Sequence, residues 1–536
     1  MEETQNGDPG KKGISKKLIA IIVVIVLLIG GGITAYALLT GSDKAQYFKA
    51  EKGTFDFMKD QLSQRYEPEL DWSKQTKENP TETAFELSGE YNNPSGGYGM
   101  MDPSDIINNS TLNLTAQTDL EKKQLYTDMK ASVGGLEIKD LNFYLDADQL
   151  MVGLPFLDEN LQIKDKDVGK LIHEADPTFP EGETIDFDAF FEMAKGLPEK
   201  DADYLKKEYL TEIYKDLPGD AFESTKETIK VDGKNFNTKK LTFHLSEQET
   251  KDLLVSILEK VQGDKKLQKI FKEQMEIQTF GIDPSAFDMD FDENIDFDEA
   301  IDNMFGKEID KGIKEIKEAH IPNGFTSDIW AKNDLIVKRD FSIGVGENKD
   351  DTNTLSVKGT NLLSDTQQKF DYKITGSDDT DKEAITLTGD LSWKDNKAND
   401  SIKLVAPDET KLSYQGKETL KDEKRDFERV FSVTDPYNDN YSLNWSGNAS
   451  YDHDKMSSEN NFSVDAPDIN QDAFSLTVAK DAKTIKKVKT PDTSNVKDIG
   501  SMSIDEIEDY FETDVAPQYQ KWIMGILGAG GGLNGL

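Results

Sequence analysis

From residue 322 to residue 480 the apolar side chains of this chain fall on every second position. Ile385, Leu387, Gly389, Leu391 and Trp393 form one such run, with Thr386, Thr388, Asp390 and Ser392 between them. A two-residue period belongs to a strand with one buried and one wet face, and a helix cannot present it. Phe325–Ala331, Leu335–Ile343, Thr354–Thr360, Lys369–Thr375, Ala384–Trp393 and Ile402–Val405 all read this way. Lys411–Gln415, Phe427–Val433, Tyr441–Gly447, Asn461–Asp465 and Phe474–Val478 continue the series, parted by turns of Asp, Asn, Gly and Ser. The pattern predicts an antiparallel β domain over 322–480. A sheet with one apolar face needs a cover. A helix over 503–513, where Ser503 and Glu506 form a capping box, is one candidate.

The region from about 45 to 320 has a different texture, with strands and helices mixed. Thr54–Arg65 reads as an amphipathic helix, and Ala84–Tyr91, Thr111–Thr118, Gln124–Val133, Leu141–Leu145, Gln149–Leu154 and Leu161–Lys164 as strands. Phe187–Lys195 and Ala202–Tyr214 read as helices, followed by strands at Thr228–Val231 and Lys240–Leu245, the first ending at the Asp232-Gly233 turn. Ser246 and Glu249 form a capping box for a helix that turns Leu253, Leu254, Ile257, Leu258 and Val261 to one face and stops at Gly263. No period of 20–50 residues repeats, which argues against a solenoid.

Ahead of this lies Leu18–Leu39, 22 residues without a charge. As a helix they span about 33 Å, enough for a bilayer core. Lys11, Lys12, Lys16 and Lys17 precede the run, which predicts a cytoplasmic N-terminus. A signal peptide cleaved after Ala37 is the alternative. The chain carries 103 acidic against 63 basic residues, a net charge of −40, which excludes nucleic acid as a partner. It has no cysteine, so disulfides, thiolate metal sites and cysteine-linked lipid are excluded. The expected division is a cytoplasmic tail 1–17, a transmembrane helix 18–39, a mixed domain 45–275, an acidic connector and helix 276–321, the β domain 322–480, and a C-terminal helix with a Gly-rich tail 481–536. The fold class is therefore α+β: a transmembrane helix, a curved antiparallel sheet with packed helices, then an antiparallel β domain.

The strands that lead into Leu141–Ile172 (LNFYLDADQLMVGLPFLDENLQIKDKDVGKLI), and then Thr228–Val261 (TIKVDGKNFNTKKLTFHLSEQETKDLLVSILEKV), resemble bacterial lipoprotein-carrier domains of the LolA and LppX type. The chain is also similar to membrane-anchored surface proteins of Bacillus-like bacteria. The resemblance rests on pattern over residues 45–275 and implies a half-open sheet holding acyl chains in an apolar cavity. Such lipoproteins anchor through an acylated Cys, which this chain lacks, so the helix 18–39 is the expected anchor. No family residue carries over.

The chemistry-bearing motifs are few. Asp288 to Glu299 places oxygen side chains at positions 1, 3, 5, 7, 9 and 12, the spacing of an EF-hand loop, but Glu293 stands where the turn needs Gly. It is read as a solvated acidic connector and not a metal site. No nucleophile elbow, P-loop or zinc-binding helix motif occurs, and four His are scattered at 173, 244, 320 and 453. No catalytic, cofactor or metal residue is assigned, and no enzyme activity is expected. The tail from Lys521 to Leu536 is apolar and Gly-rich, too short to span a bilayer. The expectation is a single-pass, extracytoplasmic binding protein of the bacterial cell envelope, non-enzymatic, its partners the membrane through 18–39, a lipid or other apolar ligand, and an envelope protein. The alternative is a structural or sensor ectodomain without a small-molecule ligand.

Overall fold

The computed structural model describes residues 41–92, 103–133, 136–177, 179, 181–280, 297–348, 351–377, 382–467 and 469–529. Its strands join one sheet. On the N-terminal side these are β1 (Thr81–Tyr91), β2 (Thr111–Asp119), β3 (Gln124–Val133), β4 (Leu136–Asp146), β5 (Gln149–Gly153) and β6 (Asn160–Lys164). Next come β7 (Phe222–Val231), β8 (Lys234–Leu245), β9 (Phe325–Lys332), β10 (Leu335–Asn348), β11 (Asp351–Ser364), β12 (Gln367–Ser377) and β13 (Lys382–Lys394). The series ends with β14 (Lys397–Val405), β15 (Lys411–Lys421), β16 (Lys424–Thr434), β17 (Asn440–Asp452), β18 (Lys455–Asp465), β19 (Phe474–Thr484) and the short β20 (Val496–Asp498).

Two antiparallel meanders make up the sheet. One runs from β1 to β6 and ends on β20, which pairs in parallel with β6. The other runs from β7 to β19 without a break in order. They meet where β1 pairs with β19 along all eleven positions, from Thr81↔Thr484 to Tyr91↔Phe474. Among the described residues, β7 and β20 are the two edges, and no pairing joins them.

The tight turns have a local cause. Asp232-Gly233, Asn333-Asp334, Asp395-Asn396 and Asp422-Glu423 all take positive φ at both positions. That is the type I′ hairpin geometry, which matches strand twist and which Asn, Asp and Gly adopt most easily.

Helix α1 (Asp43–Arg65) starts at Ser42, whose side chain accepts from the Ala45 N–H, and continues after a break at Tyr66 into α2 (Glu67–Glu78). It begins eleven residues earlier than the amphipathic stretch Thr54–Arg65 suggests, because Ala45, Tyr47, Phe48 and Ala50 are buried against the sheet. Tyr47 and Phe48 meet Phe222, Phe243 and Tyr214, and Phe222 stacks on Phe243 at 4.4 Å. The same core takes Leu254, Ile257 and Leu258 of α3 (Glu247–Gly263) and Ile313 and Ile316 of α4 (Ile309–Glu318). The Ser246–Glu249 capping box that opens α3 is present. At the far edge, Tyr519 and Trp522 of α5 (Ala516–Ala529) pack on Phe156.

Several expectations are corrected here. Residues 322–480 carry strands and turns with no helix among the described residues, yet they are not a second domain: β9 pairs with β8 and β19 with β1. The physical reason is edge satisfaction. A meander leaves two unpaired edges, and the N-terminal region supplies a strand to each. The lipoprotein-carrier resemblance also fails. Its two quoted segments lie at opposite ends of the sheet, with β4–β6 near one edge and β7–β8 at the other. Phe156 and Leu254, one from each segment, belong to separate core clusters. The single-pass reading falls outside what the fold supplies: residues 18–39 lie outside the described residues, and no described helix is long and apolar enough to cross a membrane. Most of the Asp288–Glu299 run also lies outside them. Glu299 sits in a helix (Phe297–Asn303).

Gly53 marks where α1 touches the sheet most closely. A Cβ there would lie 2.5 Å from the Asp334 carbonyl oxygen of the β9–β10 turn. Helix propensity alone would make Gly53→Ala stabilising by about 1 kcal/mol. The contact reverses the sign: overpacking against backbone costs about 1–3 kcal/mol. Gly53→Ala is therefore expected to lower the melting temperature in a thermal scan.

Candidate functional site

Cross-strand partners share a face of the sheet. One face is therefore traced by the ladder Ile402–Tyr414–Phe431–Leu443–Val464 and by its neighbour Leu404–Leu412–Val433–Tyr441. The row between them, on the opposite face, reads Lys403–Ser413–Ser432–Ser442–Asp465. The first face is apolar and the second polar.

Helices α1 and α2 cross the apolar face at its tight-turn end. Their first fastening is at β9–β10. The Tyr47 hydroxyl donates to Ser327 Oγ (2.7 Å), Thr54 Oγ1 accepts from the Ile336 N–H (2.8 Å), and Glu51 pairs with Arg339 (2.5 Å). The second is an ionic cluster at the α1–α2 junction. Arg425, 1 % exposed, donates to Glu69 (2.5 Å), to Glu418 (2.9 Å) and to the Arg65 carbonyl (2.6 Å). Arg65 reaches Asp400 at 2.6 Å, and Arg429 and the Tyr66 hydroxyl both donate to Glu418 (2.8 and 3.1 Å). Three guanidiniums thus face three carboxylates, the balance that burial demands. Burial alone would raise the Glu418 pKa, but Arg65 and Arg429 outweigh it and hold this carboxyl below the ordinary range. Arg429 also lies over the rings of Phe427 and Trp445, at 4.4 and 4.5 Å.

Beyond this cluster the cover stops. On β14–β17, Ala398, Phe427 and Ala449 near the helices are 6–7 % exposed. On the same face of β15–β17, Leu412, Phe431, Val433, Tyr441 and Leu443 are 40–46 % exposed. Val464, Ile469 and Phe474 extend this patch across β18 to the start of β19, and Tyr437 in the β16–β17 loop is 87 % exposed. The polar face carries shallow grooves instead. One of about 870 Å³ is lined by Lys394, Lys397, Lys417, Asp426 and Asn448 among others.

Sequence reasoning assigned no site residue, and it missed both the ionic cluster and the patch. The cluster had a signal: Glu418, Arg425 and Arg429 fall in the same alternation phase as Phe427 and Phe431, where a strand should be apolar. The histidines stay apart. His244 on β8 meets the Thr326 hydroxyl, His173 the Phe179 carbonyl, and the His320 backbone bridges Gly346. Among the described residues no group of three or more His, Asp or Glu is placed to hold a metal.

The chain matches no family model and no curated protein. Among solved structures it is similar to Pseudomonas aeruginosa OccK3 (TM-score 0.23, 6 % identity, covering 76 % of this chain and 95 % of that one). A BenF-like porin from Pseudomonas fluorescens gives 0.23 at 7 % identity, covering 76 % and 98 %. Wzi of Escherichia coli, an outer membrane protein of capsule assembly described as a carbohydrate-binding β-barrel, gives 0.24 at 7 %, covering 88 % and 99 %. None of these neighbours is a lipoprotein carrier, and scores this low carry neither fold nor function to this chain.

Glu418→Gln is expected to destabilise the fold by about 3–5 kcal/mol, since it leaves buried guanidiniums short of one charge. The native carboxyl's contribution is complete above its ordinary pKa of 4.5 and is lost as pH falls through the depressed folded value. Melting temperature measured from pH 6 downward should therefore fall more steeply for the native chain than for Glu418→Gln.

Proposed function

We propose that this protein is a non-catalytic binding platform that holds an apolar patch of its sheet open for a polypeptide partner. The observation that carries this reading is the contrast along single strands. Phe427 and Phe431 stand two positions apart on one face of β16, at 7 % and 41 % exposure. Sequence pattern alone would bury both. Exposed apolar patches rimmed by polar groups are costly to keep and mark interaction sites. The rigid backing fits the role: α1 and α2 are bolted to the neighbouring rows, so the patch is presented on a fixed surface.

Photo-crosslinking tests this in cells that make the protein. A photoreactive residue at Phe431 or Leu443 should capture a partner polypeptide, while one at Ser432 or Ser413, on the opposite face, should not. Equal capture from both faces, or none from either, would overturn the reading.

A further inference from the structure

The loops beside the patch carry a charge pattern that names its partner. Three connections flank it: 406–410, 435–439 and 466–473. They contribute Asp408, Glu409, Asp435, Asp439 and Asp472, and neither Lys, Arg nor His occurs in 406–410, 435–439 or 466–473. Asp408, Glu409, Asp439 and Asp472 are exposed, and none of the five makes an ion pair with a described residue. Asp435 is instead tied to its own turn by the Tyr437 and Asp439 N–H groups. The tight-turn end differs, since its acids alternate with Lys394, Lys397, Lys421, Lys424 and Lys455.

An apolar surface framed by uncompensated carboxylates repels anionic groups and leaves its own charges unpaired. A partner with apolar side chains and cations at its margins would relieve both. We infer that the patch docks a basic amphipathic segment of a partner protein, its apolar side seated on Phe431, Val433, Tyr441 and Leu443 and its Lys or Arg side chains facing the loop carboxylates. The inference rests on the platform reading and adds the partner's chemistry to it. It accounts for the opposite face being mixed in charge: attraction there would have no direction. It also accounts for the placement of the acids in loops, where they approach a ligand without interrupting the strand alternation.

The test uses the full chain and three labelled amphipathic peptides of identical apolar spacing, with Lys, Gln or Glu on the polar side. Binding is followed by fluorescence anisotropy. The Lys peptide should bind at least about tenfold more tightly than the Gln peptide, and the Glu peptide more weakly still. Raising NaCl from about 50 to about 500 mM should erase most of that difference. Two variants separate the claims. Phe431→Ser with Val433→Ser removes apolar contact and should abolish binding of every peptide. Glu409→Gln with Asp439→Asn keeps the turns, since neither side chain makes a described hydrogen bond, and should weaken only the Lys peptide. Equal, salt-insensitive binding of Lys and Gln peptides would overturn the basic partner while leaving the platform intact. Binding that survives Phe431→Ser/Val433→Ser, or no binding of any peptide, would overturn both.

Discussion

Eleven antiparallel positions between β1 and β19 hold the molecule together. They join segments nearly 400 residues apart in sequence, and they set where the N-terminal strands meet the rest of the sheet. Without this seam the N-terminal strands β1–β6 would end in an open edge, and so would β19. With it, one sheet extends from β20 to β7. Loop closure over such a length costs entropy, but only logarithmically, and a ladder of this length offsets it.

The seam also decides what the N-terminal helices can do. β1 follows α2 directly, so fixing β1 beside β19 places α1 and α2 over the strands that precede β19 in space. There the ionic cluster forms, with Arg425 and Glu418 contributed by the β15–β16 hairpin and Arg65 and Glu69 by the helices. Coverage ends where the helices end. The patch around Phe431 and Tyr441 is what remains of the apolar face, and its acidic frame comes from the long loops at that end.

Much of the local structure was legible in the sequence. The alternation over 322–480 appears as strands, the capping boxes at Ser246 and Ser503 both form, and the Asp232-Gly233 turn closes a hairpin. These signals are local, set by side-chain period and backbone preference. The pairing of strands distant in the chain is not local, and alternation does not say which edge meets which. The division into two domains failed for that reason, as did the carrier resemblance: β4–β6 and β7–β8 each have the right texture but lie far apart. The patch was hidden for a related reason. Phe427 and Phe431 look alike in sequence, and only the position of α1 and α2 distinguishes them. The cysteine-free sequence constrains chemistry and nothing about pairing.

That cysteine-free background makes the seam directly testable. Ala84 on β1 faces Asp481 on β19, whereas Ala479 is two pairs further along, opposite Glu86. Ala84→Cys with Asp481→Cys should form a disulfide under mild oxidation, read as loss of both free thiols in a monomer, while Ala84→Cys with Ala479→Cys should form it far more slowly. Free thiols persisting in the Ala84/Asp481 pair, or equal oxidation of both pairs, would show that β1 and β19 do not share this register and that the single sheet is wrong.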